Sequence, residues 1–145
     1  MQVEQGAEQA PGAGADDDAV GFSDGLQAGG ELDGVRLLGQ RTVAYMTRNH
    51  LPGGVDLETY GRPLFAEAPF RGVGFGLGFA VVIDAAAQKT LGSVGEFSWG
   101  GAASTAFWVD PAEEMIVIMM AQLLPSSTYP IRRELRVLSY QAVID

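Results

Sequence analysis

Short apolar segments separated by turn residues dominate the second half of the chain. Segments 97–101, 104–110 and 115–121 are rich in aromatic and β-favouring residues. Segment 115–121 is a continuous apolar run, which is typical of a strand covered on both faces. The link 111–114 begins with proline and is short enough to join antiparallel neighbours. We therefore predict that these segments are adjacent strands of one antiparallel sheet.

A further strand is predicted from a glycine alternation over residues 72–79. Glycine at every second position differs from the dinucleotide-binding pattern, in which a third glycine follows the second by three residues. The alternation indicates instead a strand whose glycine face packs closely against a neighbouring element. We expect this strand to continue to residue 84 and to complete a four-stranded sheet.

Two segments carry the periodicity of short helices. Residues 40–49 predict one helix, preceded by a glycine-rich turn and an extended piece that bends at Asp33-Gly34. A closing helix begins near Pro130, where the missing N–H is harmless. Its apolar face is predicted to pack on the sheet and its arginines to face water. The apolar face consists of Ile131, Leu135, Leu138 and Ala142. The arginines are Arg132, Arg133 and Arg136. The fold class is α+β, with an antiparallel sheet and flanking helices.

Charge divides the chain into two parts. Eight of the 18 acidic residues lie within residues 1–34, which contain no Lys or Arg. Residues 1–20 contain little to bury, so we predict a disordered acidic tail followed by one folded domain over residues 21–145. The run Asp16-Asp17-Asp18 lacks the alternating ligands and terminal Glu of a calcium loop, which favours a solvated tail over a metal site.

Composition also restricts the partners and the compartment. The folded part has no basic face for phosphates, which argues against nucleic acid. The chain has no cysteine, no signal-peptide pattern and no apolar run of about 18 residues. We expect a soluble cytoplasmic protein that binds no metal and no cofactor and does not associate with a membrane.

Two features of the middle of the chain are considered as parts of a site. Residues 52–74 show no helical or alternating period and predict a long loop, and such loops often line sites. His50 follows the first predicted helix. It could be catalytic or a metal ligand, but no second ligand is nearby in sequence. Interaction with the C-terminal end of the helix is the simpler interpretation.

Taken as a series, several segments resemble a known family. They are 29–38, 46–50, 75–79, 99–101, 107–111 and the closing helix. Over residues 21–145 the chain resembles the C-terminal part of the serine β-lactamase-like hydrolases. This family includes class C β-lactamases, D-alanyl-D-alanine peptidases and family VIII carboxylesterases. The resemblance implies a partial β-lactamase/transpeptidase-like fold.

The resemblance also implies a substrate wall at the end of one strand. Where many members carry Lys/His-Thr/Ser-Gly, the esterase branch often has Trp-Gly-Gly, here Trp99, Gly100 and Gly101. The backbone N–H of Ala102 would be one oxyanion-hole donor. With Trp99 in place of a cation, neutral esters are expected rather than anionic β-lactams. Alternatively, Trp99 is a core aromatic.

The family's nucleophile motif is not found in this sequence. No serine is followed three residues later by Lys, and no tyrosine is followed two residues later by Asn. Nucleophilic catalysis needs an activated group beside a base. We therefore expect the chain to be inactive alone, and to meet an ester or β-lactam-like substrate only when an N-terminal part completes it. The alternative is a non-catalytic domain that binds a small ligand or partner. In either case we expect an exposed sheet edge that can form a homo-oligomer.

Overall fold

The computed structural model describes residues 15–61, 70–126 and 128–143, with side chains from residue 20 onward. The helices are α1 (Ala15–Gln27), α2 (Gln40–Met46), α3 (Leu57–Tyr60), α4 (Ala85–Gln88) and α5 (Ile131–Gln141), with a 3₁₀ helix at Pro52–Gly54. The strands are β1 (Glu31–Leu32), β2 (Val35–Arg36), β3 (Val73–Phe75), β4 (Ala80–Val82), β5 (Phe97–Gly100), β6 (Ala106–Asp110) and β7 (Met115–Met119).

The central sheet has five strands in the order β3-β4-β5-β6-β7, and every neighbouring pair is antiparallel. This confirms the predicted α+β class and the adjacency of the last three strands. The prediction of one continuous strand over residues 72–84 is wrong. The chain reverses at Gly78, whose φ of 97° is readily adopted only by glycine. Two strands, β3 and β4, therefore replace one.

The alternating glycines do mark a close approach to a neighbouring element, as predicted. A Cβ on Gly74 would lie 2.4 Å from the side chain of Asn49, and one on Gly76 would lie 2.1 Å from the carbonyl oxygen of Met46. The segment that follows α2 lies in this space and contacts β3, where the N–H of His50 donates to the carbonyl of Phe75 at 2.8 Å. Small residues here allow α2 to approach the sheet.

The Asp33-Gly34 bend is confirmed as a tight hairpin between β1 and β2. Leu32 pairs with Val35, and the two turn residues have φ of 49° and 77°. Two consecutive positive φ angles are the signature of a type I′ turn, for which Asp-Gly is a preferred sequence. The hairpin places β1 beside α1.

The apolar core lies on one face of the sheet. Its buried residues are Leu26, Val43, Phe79, Val81, Phe97 and Val109. Leu26 comes from α1 and Val43 from α2, so these helices cover this face, which we call the α1 face. Helix α5 covers the opposite face, which we call the α5 face. The sheet is thus a middle layer between helices.

The orientation predicted for α5 is only partly right: Ile131 and Leu135 are half-buried and Arg133 is exposed, as predicted. Leu138 is 62% exposed, whereas Arg132 and Arg136 are half-buried and make hydrogen bonds to the sheet side of the helix. Two buried carboxylates on the sheet, Glu96 and Asp110, make a polar helix face the better partner. Charge compensation decides the orientation here because an unpaired buried carboxylate is costly.

The prediction that the strand over residues 115–121 is covered on both faces is also wrong. All five residues of β7 are half-buried, because β7 is the last strand of the sheet. Its apolar run therefore lies at an edge. None of the helices in the described ranges is long and apolar enough to cross a bilayer.

Two predicted boundaries also need revision. Residues 1–14 of the predicted tail lie outside the described residues, but α1 begins at Ala15, so helix enters the segment predicted to be disordered. The predicted loop 52–74 contains a 3₁₀ turn and α3, while its residues 62–69 lie outside the described residues. Asp56 is the N-cap of α3, and its side-chain carboxylate accepts a hydrogen bond from the N–H of Thr59 at 2.8 Å.

Candidate functional site

Trp99 is a partly exposed side chain near the end of β5. The residue is 48% exposed, and its indole ring meets the ring of Phe75 edge-on, with centroids 5.2 Å apart. This geometry does not match the alternative in which Trp99 is a core aromatic. The contact with Phe75 fixes one side of the indole and leaves the other open.

The two glycines after Trp99 are held by contacts on both sides. Arg132 Nη2 donates to the carbonyl oxygens of Gly101 at 2.6 Å and Thr105 at 3.0 Å. The N–H of Gly101 donates to the same Thr105 carbonyl at 2.9 Å. A Cβ on Gly101 would lie 2.4 Å from Thr105 Oγ1, so a larger residue does not fit without movement. Arg132 therefore anchors the turn that follows β5.

Ala102 lies exposed in this turn. Its backbone N–H has no acceptor among the described residues. Ser104, two residues further along the turn, is fully buried, and its hydroxyl donates to the carbonyl of Leu123 at 2.9 Å. The turn is thus anchored on both sides of an available N–H.

Two cavities adjoin Trp99, Gly100 and Gly101. The smaller cavity, about 380 Å³, lies on the α1 face and is lined also by Phe22, Ile118 and Met120. The larger cavity, about 810 Å³, lies on the α5 face beside Ala102 and Arg132. Its lining residues include Arg71, Lys89 and Arg133, which are exposed cations, and Trp108, whose buried Nε1 has no acceptor among the described residues.

A buried polar cluster supports the larger cavity from below. Arg136 pairs with Glu96, which is fully buried, and its guanidinium lies 4.9 Å from the centre of the Trp108 ring. The Tyr140 hydroxyl lies 2.8 Å from Glu96 Oε2 and 2.6 Å from Asp110 Oδ2. Because a hydroxyl has one proton, it donates to only one of these carboxylates at a time.

Burial is the main cause that raises the pKa of Tyr140 above its ordinary value, followed by its hydrogen bond to Asp110 and the charge of Glu96. The phenol therefore stays neutral and remains a donor. Sequence reasoning missed this cluster. A pattern in the sequence does indicate the cluster: Arg132, Arg136 and Tyr140 are four residues apart and so lie on one face of a helix.

His50 takes the position that the simpler interpretation predicted. Its Nε2 lies 2.7 Å from the carbonyl oxygen of Tyr45 in the last turn of α2, and its ring meets the Tyr45 ring with centroids 4.5 Å apart. Within the described ranges, no three His, Asp or Glu side chains are close enough to hold a metal ion. The side chains of Asp16, Asp17 and Asp18 lie outside that description.

No family model matches the chain. Protein Rv1367c of Mycobacterium tuberculosis strain ATCC 25618 / H37Rv is 36% identical over 113 residues, which cover 75% of this chain and 27% of that protein. A LovD6 mutant of simvastatin synthase from Aspergillus terreus has a TM-score of 0.66 at 20% identity, covering 86% of this chain and 33% of that one. EstCE1, a hydrolase with promiscuous acyltransferase activity, has a TM-score of 0.56 at 25% identity, covering 80% of this chain and 28% of the hydrolase.

These similarities confirm that the architecture is a partial β-lactamase/transpeptidase-like fold. The chain resembles the C-terminal part of a serine hydrolase of that fold. It spans between 27% and 33% of the length of these three proteins.

Proposed function

We propose that this chain is the substrate-facing C-terminal part of a serine esterase or acyltransferase. The observation that carries the proposal is the open side of Trp99 beside Gly100 and Gly101, at a cavity on each face of the sheet. An exposed aromatic residue beside accessible backbone is a suitable wall for a neutral acyl or alcohol group.

In this proposal the chain binds and orients a substrate rather than attacking it. The Ala102 N–H is an oxyanion donor held in place through Arg132 and the buried Ser104. Such a fixed dipole stabilises the negative charge that develops on an ester oxygen. The nucleophile and its base would come from an upstream part of a longer enzyme. The absence of a cation at position 99 favours neutral esters.

The first experiment uses the purified chain alone. Losing a nucleophile costs on the order of 10⁶ in turnover. We therefore expect hydrolysis of a nitrophenyl ester at the buffer rate and no adduct with a fluorophosphonate probe by mass spectrometry. A stoichiometric adduct on one serine, abolished together with activity by substitution to Ala, would overturn the proposal.

The second experiment tests the wall in a chimera, in which this chain replaces the matching region of Rv1367c. We expect the chimera to regain fluorophosphonate labelling and ester hydrolysis if the parent protein has them. Trp99→Lys should then shift preference toward substrates with a carboxylate, whereas the matched Trp99→Phe should not. Equal substrate preferences for both variants would contradict the role of Trp99.

A second candidate function, non-catalytic binding of a small organic anion, is favoured by the larger cavity alone. Arg71, Lys89 and Arg133 surround it, and Trp108 Nε1 offers an unpaired donor. Titration of tryptophan fluorescence with aromatic carboxylates tests this function. A saturable change that Arg133→Met weakens would support it, and a flat titration would exclude that ligand class.

A further inference from the structure

The turn that joins β5 to β6 is a tight hairpin loop with a defined backbone. The N–H of Ser104 donates to the carbonyl of Gly101 at 3.1 Å, and the N–H of Gly101 donates to the carbonyl of Thr105 at 2.9 Å. Ser104 has a φ of 69°, in the left-handed region that the last residue of a three-residue hairpin loop adopts. Glycine adopts this region without cost, so a serine here adds backbone strain. Its buried hydroxyl, which donates to the carbonyl of Leu123, offsets that strain.

Arg132 binds both strands at the base of this loop. Its Nη2 donates to the carbonyl oxygens of Gly101 at 2.6 Å and Thr105 at 3.0 Å. Gly100 leaves room for the guanidinium, since a Cβ at this position would lie 3.1 Å from Arg132 Cζ. Further along α5, Arg136 and Tyr140 bind the buried carboxylates of the sheet and hold the helix in place. Arg132 is therefore presented to the loop from a fixed helix.

The carbonyl group of Gly101 and the N–H of Ala102 belong to the same peptide unit. Because a trans peptide unit is planar, its C=O and N–H point in opposite directions. Two donors, Arg132 Nη2 and the N–H of Ser104, hold the carbonyl and so also fix the direction of the Ala102 N–H. A cation at the carbonyl oxygen polarises the peptide unit as well, which makes its N–H a stronger donor.

We propose that Arg132 is a positioning residue for the oxyanion donor of this site. It orients and polarises the peptide unit between Gly101 and Ala102, whose N–H then stabilises the negative charge that develops on the substrate oxygen. This role rests on the proposed function, because it requires that the Ala102 N–H faces the reacting ester. Arg132 acts through the peptide unit and does not itself bind the substrate oxygen.

The first measurement uses the isotope-labelled chain alone and needs no activity. Arg132→Met keeps the apolar stem and removes the donor. We expect the amide nitrogen signal of Ala102 to move upfield, because its peptide unit loses a polarising cation. The N–H of Ser104 should exchange with solvent at least about tenfold faster, because the loop is less firmly held. Glu134→Gln, at an exposed position of the same helix, is the control and should change neither signal. Unchanged signals in folded Arg132→Met would overturn the proposal.

The second measurement uses the chimera of this chain with the upstream part of Rv1367c. Arg132→Met should lower kcat about 10- to 100-fold and change KM less than about twofold, because the donor acts mainly on charge that develops in the transition state. A merely structural role would not separate the two constants in this way. Arg132→Lys restores a cation on a shorter stem and should recover part of kcat. Glu134→Gln should keep both constants.

The two measurements distinguish the role of Arg132 from the proposed function. Absence of ester hydrolysis in the unsubstituted chimera would count against the proposed function, and the amide signals would then decide the role of Arg132. An active chimera in which Arg132→Met keeps its kcat would overturn that role and leave the proposed function intact. Circular dichroism checks folding. If Arg132→Met does not fold, Arg132→Gln replaces it with the same expectations, because its amide is neutral and shorter.

Discussion

The hydroxyl group of Tyr140 lies 2.6 Å from Oδ2 of Asp110, and this contact joins α5 to the end of β6. The same hydroxyl lies 2.8 Å from Glu96, so residues distant in sequence meet at one hydroxyl group. Asp110 also accepts the backbone N–H groups of Ser93 and Ala112, each at 3.1 Å. The cluster therefore fastens the closing helix to the α5 face and holds the segment before β5 and the turn after β6.

Removing this hydroxyl should destabilise the protein. Tyr140→Phe takes one donor away from the buried Asp110 Oδ2, which still accepts the N–H of Ser93, and this should cost about 1–3 kcal/mol of unfolding free energy. Tyr129→Phe is the matched control, because Tyr129 is 60% exposed and its change should be within about 0.5 kcal/mol. Urea unfolding measures both. Equal stabilities of the two variants would show that the bridge contributes nothing.

The buried ion pair should show strong coupling. Arg136→Met removes the cation that pairs with the fully buried Glu96, which should lower the unfolding free energy by about 3–5 kcal/mol. The double variant with Glu96→Gln should cost less than the sum of the single changes, because it removes the uncompensated charge. Arg133→Met, at an exposed position of the same helix, is the control. Additive effects in the double-mutant cycle would contradict direct pairing.

The close approach of α2 to the sheet should make Gly76 intolerant of substitution. In Gly76→Ala the new methyl group would lie 2.1 Å from the carbonyl oxygen of Met46, a backbone atom that cannot rotate away. Such overpacking costs about 1–3 kcal/mol or more. Gly61→Ala, which meets no atom within 4 Å, should be nearly neutral. Thermal unfolding of both variants checks this, and a neutral Gly76→Ala would show that α2 can shift.

Asp56 should make stability depend on pH in the acid range. Hydrogen bonding from Thr59, then from the N–H of Gly72, lowers the pKa of Asp56 to about 2. Because the unfolded pKa is near 4, the ionised carboxylate stabilises the fold above about pH 4, and this contribution is lost as the pH falls toward about 2. The stability deficit of Asp56→Asn should therefore shrink over that range. Carbon-detected NMR titration gives the midpoint, and a value near 4 would contradict the capping contacts.

Local sequence determined those features whose cause lies within a few residues. The Asp33-Gly34 hairpin follows from the ease with which these residues adopt positive φ, and the start of α5 follows from Pro130. The β-favouring segments became β5, β6 and β7 because short turns joined them as antiparallel neighbours. Trp99-Gly100-Gly101 could be located as a candidate wall because its residues are contiguous.

Tertiary structure decided which side of each element is buried. Helical spacing in α5 allows either a face with Leu138 or a face with Arg136 and Tyr140 to turn inward. The polar face turns inward because Glu96 and Asp110, contributed by distant segments of the sheet, need its donors. Likewise, an apolar run such as β7 does not reveal whether it lies in the middle or at the edge of a sheet. The order of the strands decides this, and strand order depends on contacts between residues far apart in the sequence.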